Sequence, residues 1–197
     1  AKQTEFEQLR RSYDQKRQRL EVLSDVEKNM VGYFSSVKSV MHAAKTGKLS
    51  GIHGTVADVI GVEKKYGTAI ETALGNALQN IIVENEETAK KCIRYLKEAN
   101  AGRATFYPLT SVKGSELSQP GLSDEDGFEG LGSELVKCDE KYGGIIRSVL
   151  GKTAVVDDIN TAARIAKKYG YKFRIITLDG QLVNAGGSFT GGSVKET

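Results

Sequence analysis

Cysteine is scarce in this chain, and long apolar runs are absent. Cys92 and Cys138 are the two cysteines among 197 residues, and neither has metal-ligating residues beside it. The cysteines therefore predict neither a disulfide framework nor a zinc site, and a reducing compartment is expected. No run of about 18 apolar residues is present, so we expect no membrane-spanning helix.

The charge and composition of the chain narrow the class of protein further. A net charge of +3 at pH 7 does not by itself identify a nucleic-acid-binding protein, so any basic surface must come from local clustering. The first residues read Ala-Lys-Gln-Thr-Glu and stay charged, and we expect no signal peptide. With 39% hydrophobic and 27% charged residues, the composition is typical of a soluble globular protein, and we expect a cytoplasmic location.

Residues 1–30 predict the end of a coiled coil. Alternating spacings of three and four residues define one seam, with charged residues at two of its eight positions. The seam consists of Phe6, Leu9, Tyr13, Lys16, Leu20, Leu23, Glu27 and Met30. A surface helix packed on its own domain is the alternative. A connecting helix and loop are predicted over residues 31–50.

From Gly51 onward the sequence repeats itself. Lys65-Tyr66-Gly67 and Lys141-Tyr142-Gly143 are each followed by an isoleucine, a leucine and a glycine at identical spacing. Each copy continues into an apolar triplet predicted as a buried strand, an N-cap residue (Asn85 or Asp158), a helix and a second strand. In the first copy the helix is predicted to bury Ala89, Cys92, Ile93 and Leu96.

The repeat predicts a mixed α/β fold of two pseudo-repeated α/β subdomains preceded by a coiled-coil helix. The subdomains are expected at 51–110 and 134–193. Residues 111–133 between them, rich in glycine, serine and acid, predict a linker loop of low order. The start of a returning coiled coil is expected at 194–197.

Two glycine pairs, Gly186-Gly187 and Gly191-Gly192, follow the last predicted strand. Glycine weakens regular structure by about 0.5–1 kcal/mol relative to alanine, so four glycines in seven residues indicate that another backbone comes close. A phosphate group, a turn of the chain on itself, or a second protein chain could be the neighbour.

Catalytic motifs are not found. Gly151-Lys152-Thr153 resembles part of a phosphate-binding loop, but the glycine required five residues earlier is replaced by Ile146. No nucleophile–base–acid set stands out, and neither histidine has metal-ligand spacing. We therefore expect no enzyme, no cofactor, no metal and no small-molecule substrate.

Basic residues cluster at matching positions of the two copies. The candidates for DNA contact are Lys64, Lys65, Lys90, Lys91, Arg94, Lys167, Lys168 and Lys172. One interpretation is the solvated face of amphipathic helices. The other is a phosphate-contacting surface, whose binding would depend on salt but not on sequence.

Several separated motifs together resemble the hinge domain of SMC (structural maintenance of chromosomes) proteins, and bacterial members most of all. The resemblance covers roughly residues 31–193. The motifs, in order, are Gly51-Ile-His-Gly54-Thr-Val-Ala-Asp58, Gly102-Arg-Ala-Thr-Phe-Tyr-Pro-Leu109, Leu178-Asp-Gly180 and Gly186-Gly-Ser-Phe-Thr-Gly-Gly192.

The resemblance implies a homodimerisation module of a chromosome condensation and segregation ATPase whose ATPase heads lie outside this chain. Two hinges would form a ring-shaped two-fold dimer. The implied contact joins Gly186, Gly187, Ser188, Phe189, Thr190, Gly191 and Gly192 to a receiving edge at Thr105, Phe106 and Tyr107. It also implies binding of DNA, single-stranded by preference, and association with the nucleoid.

Two rival hypotheses remain at this stage. In the first, the chain is a nucleic-acid-binding domain whose glycine-rich strand approaches phosphate instead of a partner chain. In the second, it is a small enzyme with a nucleotide between the repeats.

Overall fold

A computed structural model describes residues 6–8, 10–17 and 33–193. Phe6 and Tyr13 of the predicted seam lie in helical stretches, with 65% and 67% of their surface exposed. Leu9, Leu20, Leu23, Glu27 and Met30 of the seam, and the predicted returning coil at 194–197, lie outside the described residues.

The two halves of the described chain contain similar elements. The first half contains α1 (Ser35–Lys45), β1 (Ile52–Thr55), α2 (Val56–Val59), β2 (Gly61–Val62), α3 (Gly67–Leu74), β3 (Ile81–Val83), α4 (Glu86–Glu98) and β4 (Phe106–Pro108). The second contains β5 (Phe128–Leu131), β6 (Val136–Lys137), α5 (Gly143–Leu150), β7 (Thr153–Val156), α6 (Ile159–Lys168), β8 (Arg174–Thr177), β9 (Leu182–Val183) and β10 (Phe189–Thr190). The mixed α/β prediction is confirmed.

Sheet topology follows the sequence repeat. The first sheet has the order β1-β3-β4, and the second has the order β10-β9-β8-β7-β5. In each, the first strand runs antiparallel to the central strand, with a register irregularity just before a glycine (Gly54 or Gly130), and the third strand runs parallel to it. Strands β9 and β10 extend the second sheet and have no counterpart in the first.

The predicted helix caps are present in both copies. The Asn85 side chain accepts a hydrogen bond from the Thr88 main-chain N–H at 3.0 Å, and Asp158 accepts one from the Thr161 N–H at 2.9 Å. Each bond satisfies one of the N–H groups that a helix start leaves unpaired, so the chain turns from strand to helix at the same place in each copy.

The predicted loop of low order at 111–133 is wrong in its second part. Phe128–Leu131 forms β5, which pairs with β7, and Leu122 and Leu131 are 4% and 7% exposed. The strand escapes sequence patterning because Gly130 interrupts the apolar alternation and an acidic, glycine-containing stretch precedes it.

A single apolar core joins the two halves. It contains Ile70 and Ile82 from the first half together with Ile145, Leu150 and Ile176 from the second. Each sheet also has an outer cluster of its own, beneath α1 and α4 in the first half and beneath α6 in the second. Strands β2 and β6 pair antiparallel across the boundary, which ties the halves further.

The repeated Lys-Tyr-Gly motif forms reciprocal contacts between the halves. The hydroxyl of Tyr66 donates to Glu129 of β5 at 3.2 Å, and Lys65 pairs with the same carboxylate at 2.7 Å. In the other direction, Tyr142 hydrogen-bonds His53 Nδ1 of β1 at 3.0 Å, while His53 Nε2 contacts Glu84 at 2.6 Å. The first strand of each half thus binds the motif of the other half.

A carboxylate with 6% of its side chain exposed anchors the loop before β5 to α6. Glu125 accepts hydrogen bonds from Arg164 at 2.7 Å, from Tyr169 at 3.0 Å, and from Lys168. These donors, with Lys168 first, lower the pKa of Glu125 to about 2.

We expect Leu150→Ala to lower the free energy of unfolding by about 2–5 kcal/mol, because it leaves a cavity in the shared core. Ile159→Ala is the control, since 39% of that side chain is exposed, and its effect should stay within about 0.5 kcal/mol. Residue-resolved hydrogen exchange in urea should show β3 and β8 losing protection together. Separate transitions for the two halves would contradict a shared core.

The stability of the protein should depend on pH through the Glu125 carboxylate. Because folding depresses the pKa of Glu125, its stabilising contribution is complete above the usual value of 4.5 and is lost as the pH falls toward 2. Glu125→Gln should therefore be less stable than the wild type at pH 7, and the two unfolding curves should converge near pH 2. Glu98→Gln, at the end of α4, is the control. A constant difference between Glu125→Gln and wild type across this range would argue against the ion pairs.

Candidate functional site

Two sheet edges hold the residues that the sequence singles out. Strand β4 is one end of the first sheet, and β10 is one end of the second. Phe106 and Tyr107 lie in β4, and Thr105 directly precedes it. Phe189 and Thr190 form β10, while Gly186, Gly187 and Ser188 lie in the turn before it, and Gly191 and Gly192 follow it.

Main-chain groups on both edges face away from their own sheets. The Thr105 carbonyl accepts from the Ile81 N–H at 2.9 Å, so the next residue, Phe106, directs its N–H and C=O away from β3. The Asn184 N–H donates to the Ser188 carbonyl at 2.8 Å, so Phe189 likewise directs its main-chain groups away from β9. Such an edge is a template for another strand.

The rings of Phe106 and Phe189 lie on the helix-covered faces of their sheets. Phe106 packs against the cluster beneath α4. Phe189 lies opposite Val183, which is buried beneath α6, and opposite residues of an antiparallel pair share a face. The Phe189 side chain is nevertheless 56% exposed, because no further strand lies beside it.

A groove borders the β4 edge on this same face. It has a volume of about 420 Å³ and is lined by Ile93, Leu96 and Ala104, with Lys97 and Arg103 among its polar residues. The prediction that Ile93 is buried is wrong, since 55% of it is exposed. Helical periodicity places Ile93 beside the core, but the sheet ends at β4 and leaves this side chain uncovered.

All four glycines meet a need of the chain itself. Gly186, Gly187 and Gly192 have φ values of +89°, +96° and +137°, which side-chain-bearing residues rarely adopt. A Cβ atom on Gly191 would lie 2.1 Å from Gln181 Oε1, the atom that accepts the Gly192 N–H at 2.8 Å. The turn of the chain on itself therefore accounts for these glycines and shapes the exposed edge.

The predicted DNA-contacting residues fall into two groups. Lys65 pairs with Glu129 at 2.7 Å, Lys90 pairs with Glu87 at 2.7 Å, and Lys168 pairs with Glu125. The others are exposed and form no salt bridge with any described residue. This second group contains Lys64, Lys91, Arg94, Lys167 and Lys172.

Sheet topology also separates the basic residues. Helices α4 and α6, which carry Lys91, Arg94 and Lys167, cover the outer faces of the two sheets. Lys64 and Lys65 instead precede α3, which packs into the central core on the opposite face of the first sheet. The chain alone therefore does not bring all the predicted basic residues together.

The described part of the chain offers neither a metal site nor a membrane-spanning helix. Among residues 6–8, 10–17 and 33–193, no group of three or more histidine, cysteine or acidic side chains is arranged to hold a metal ion. None of the described helices is long and apolar enough to cross a membrane.

Known proteins are similar to this chain in sequence and fold. The family model described as the SMC proteins Flexible Hinge Domain matches residues 49–166. The Chromosome partition protein Smc of Halothermothrix orenii is 40% identical over 190 residues, covering 95% of this chain and 16% of that protein. The Bacillus subtilis protein of the same name is 36% identical, covering 98% and 18%. The chain thus spans about a sixth of the length of these relatives.

Solved structures of SMC hinge domains are also similar to this chain. An asymmetric dimer of the Geobacillus stearothermophilus SMC hinge domain matches with a TM-score of 0.86 and 38% identity, covering 96% of this chain and 78% of that one. The Pyrococcus furiosus SMC protein hinge domain matches with a TM-score of 0.66 and 30% identity, covering 89% and 92%. With the duplicated α/β fold and the family model in agreement, this chain belongs to the SMC hinge family.

Proposed function

We propose that the chain is the homodimerisation module of a chromosome-partitioning SMC protein. Its two free, complementary sheet edges carry this proposal. In the second half, β9 covers the edge of β8. In the first half, the equivalent strand β4 has no such neighbour among the described residues. A partner's β10 would supply the missing strand and continue the sheet from one chain into the other.

The register follows from the outward-facing residues. If Phe106 of one chain pairs with Phe189 of the other, both sets of free main-chain groups are satisfied. Paired residues share a face, so the Phe189 ring falls on the face covered by α4, beside Ile93 and the groove. Two exposed apolar side chains would thereby cover each other.

Two-fold symmetry closes the assembly. Each chain has one β10 edge and one β4 edge, so a two-fold axis creates two identical contacts and leaves neither edge free. The Geobacillus stearothermophilus relative, solved as an asymmetric dimer, supports self-association. ATP hydrolysis would belong to parts of the full-length protein outside this hinge.

DNA contact is proposed as a second role, carried by the unpaired basic residues on the outer faces. Continuing the sheet across the dimer would place α6 of one chain near α4 of the other, on the same face. Lys167 would then extend the cluster of Lys91 and Arg94 into one surface facing the nucleoid DNA. Such a surface binds phosphates without reading sequence.

We expect Phe189→Glu to weaken the dimer about 30-fold or more, because aromatic anchors at the centre of an interface commonly contribute about 2 kcal/mol and a charge there would be desolvated. Ile159→Glu is the matched control, since Ile159 is another exposed apolar residue but begins α6 and is not part of either edge strand. Sedimentation equilibrium over a wide concentration range gives both dissociation constants. Equal dissociation constants for wild type and Phe189→Glu would exclude the β10 edge.

The register is tested separately, by cross-linking pairs of cysteine variants. In a Cys138→Ser background, Phe189→Cys combined with Ile93→Cys should cross-link two chains with a short bismaleimide. Cys92 is fully buried and should not react. Phe189→Cys combined with Ile159→Cys should not cross-link. A dimer that forms without the first cross-link would contradict this pairing.

For DNA, we expect the triple variant Lys91→Gln, Arg94→Gln, Lys167→Gln to bind a single-stranded oligonucleotide more weakly, with a salt slope shallower by about 0.7 per lost phosphate contact. The control triple, Lys65→Gln, Lys90→Gln, Lys168→Gln, removes lysines that already pair with carboxylates and should change binding less. Fluorescence anisotropy at several salt concentrations compares them. If the first triple variant has the same affinity and salt slope as the wild type, Lys91, Arg94 and Lys167 form only the solvated face of their helices and do not contact DNA.

A further inference from the structure

A cleft in the second half has basic residues as its only charged lining. It has a volume of about 330 Å³ and opens where strands β7 and β8 begin. Lys152, Lys172 and Arg174 line it together with Ser148 and Thr153, and none of the described lining residues is acidic. About twenty residues separate Lys152 from the other two in sequence, but the parallel pairing of Thr153 with Arg174 brings them to one sheet end.

Arg174 is held in a fixed orientation. Its Nε and Nη2 atoms donate to Thr153 Oγ1 at 3.0 and 2.7 Å, and Thr153 is 2% exposed. A guanidinium group has five N–H donors in a rigid plane, so three remain available in the cleft. Burial removes part of the hydration of the Arg174 charge and so lowers the pKa of the guanidinium group.

No carboxylate compensates this charge. Arg174 forms no salt bridge with a described residue. Lys152 Nζ donates to the main-chain carbonyl of Glu116 at 2.8 Å, while the carboxylate of Glu116 accepts from Ser133 at 2.9 Å. A partly desolvated cation without a partner is unfavourable, and an anion entering the cleft would offset that cost.

The first half lacks this arrangement. The positions equivalent to Thr153 and Arg174 are Asn80 and Thr105, and the Asn80 side chain donates to the hydroxyl of Tyr107 at 2.8 Å instead. The duplicated fold therefore does not require an arginine at this place. Lys152 likewise has an uncharged counterpart, Gln79, whereas Lys172 corresponds to Arg103. Two of the three cations are therefore features of the second half alone, which is the pattern expected of a binding site added to a common scaffold.

We propose that this cleft binds a phosphate group of a single-stranded DNA backbone. The planar donors of Arg174 match phosphate oxygens bidentately, and Lys152 and Lys172 add positive charge from the two sides. The cleft would fix one phosphate in place, whereas the lysines on α4 and α6 would provide a diffuse surface. This inference rests on the proposed DNA contact.

The test compares variants of the cleft with those of the helix surface. Arg174→Gln can keep a hydrogen bond to Thr153, and Lys172→Gln changes an exposed residue, so the second variant remains informative if the first unfolds. We expect the pair to lower oligonucleotide affinity about ten-fold and to reduce the salt slope by about 1.4, the value for two lost contacts. The Nε–H signal of Arg174 in ¹⁵N NMR should shift on addition of oligonucleotide to the wild-type protein.

Three outcomes distinguish the proposals. Weaker binding by the cleft variants with a shifted Arg174 signal supports the inference. Equal binding by wild type and cleft variants, with weaker binding by the α4 and α6 variants, overturns the inference and leaves the proposed function intact. A wild type that binds no oligonucleotide, while inorganic phosphate shifts the Arg174 signal, overturns both DNA proposals and identifies a free-anion site.

Discussion

The apolar core between the two halves is the constraint on which the rest of this structure depends. Ile82 from the first sheet and Ile176 from the second both point into it, so neither sheet can move without exposing the other. Interiors of this kind are packed as densely as organic crystals and resist deformation. The positions of the two sheet edges are therefore set by the side chains of the core between the halves, against which Tyr107 of β4 also packs. The proposed dimer, which would close through two contacts at once, would depend on such rigidity.

The edges themselves are unusual in being left open. Many proteins protect an edge strand with a charge, a bulge or a proline. Here Pro108 ends β4 at a position where the ladder to β3 needs no N–H, and Phe106 remains able to pair. The glycine-rich turn holds β10 in an extended, accessible form. The glycines thus act by fixing the shape of the hairpin, and in the proposed dimer the side chains of Phe189 and Ile93 would provide the apolar contact.

Local patterns in the sequence predicted local structure well. The N-caps at Asn85 and Asp158, the buried central strands and the duplicated helices all depend on neighbours within a few residues. Features that depend on distant residues were missed. The sequence gives no sign that Lys65 meets Glu129 or that His53 meets Tyr142, because those contacts exist only once the two halves pack. Strand β5 was missed for a related reason, since its partner β7 lies more than twenty residues further on.

The reciprocal contacts of the Lys-Tyr-Gly motifs bear on how the two halves of the chain arose. In each direction, the first strand of one half binds the motif of the other, which is the self-complementary pattern of a symmetric dimer. The chain is thus arranged like two fused subunits, and it fits descent from a smaller ancestor that paired with itself before its gene was duplicated. Duplication alone would leave two equivalent edges. The hairpin of β9 and β10, present on one of the two described copies, makes the edges different, as the proposed pairing of one edge with the other requires.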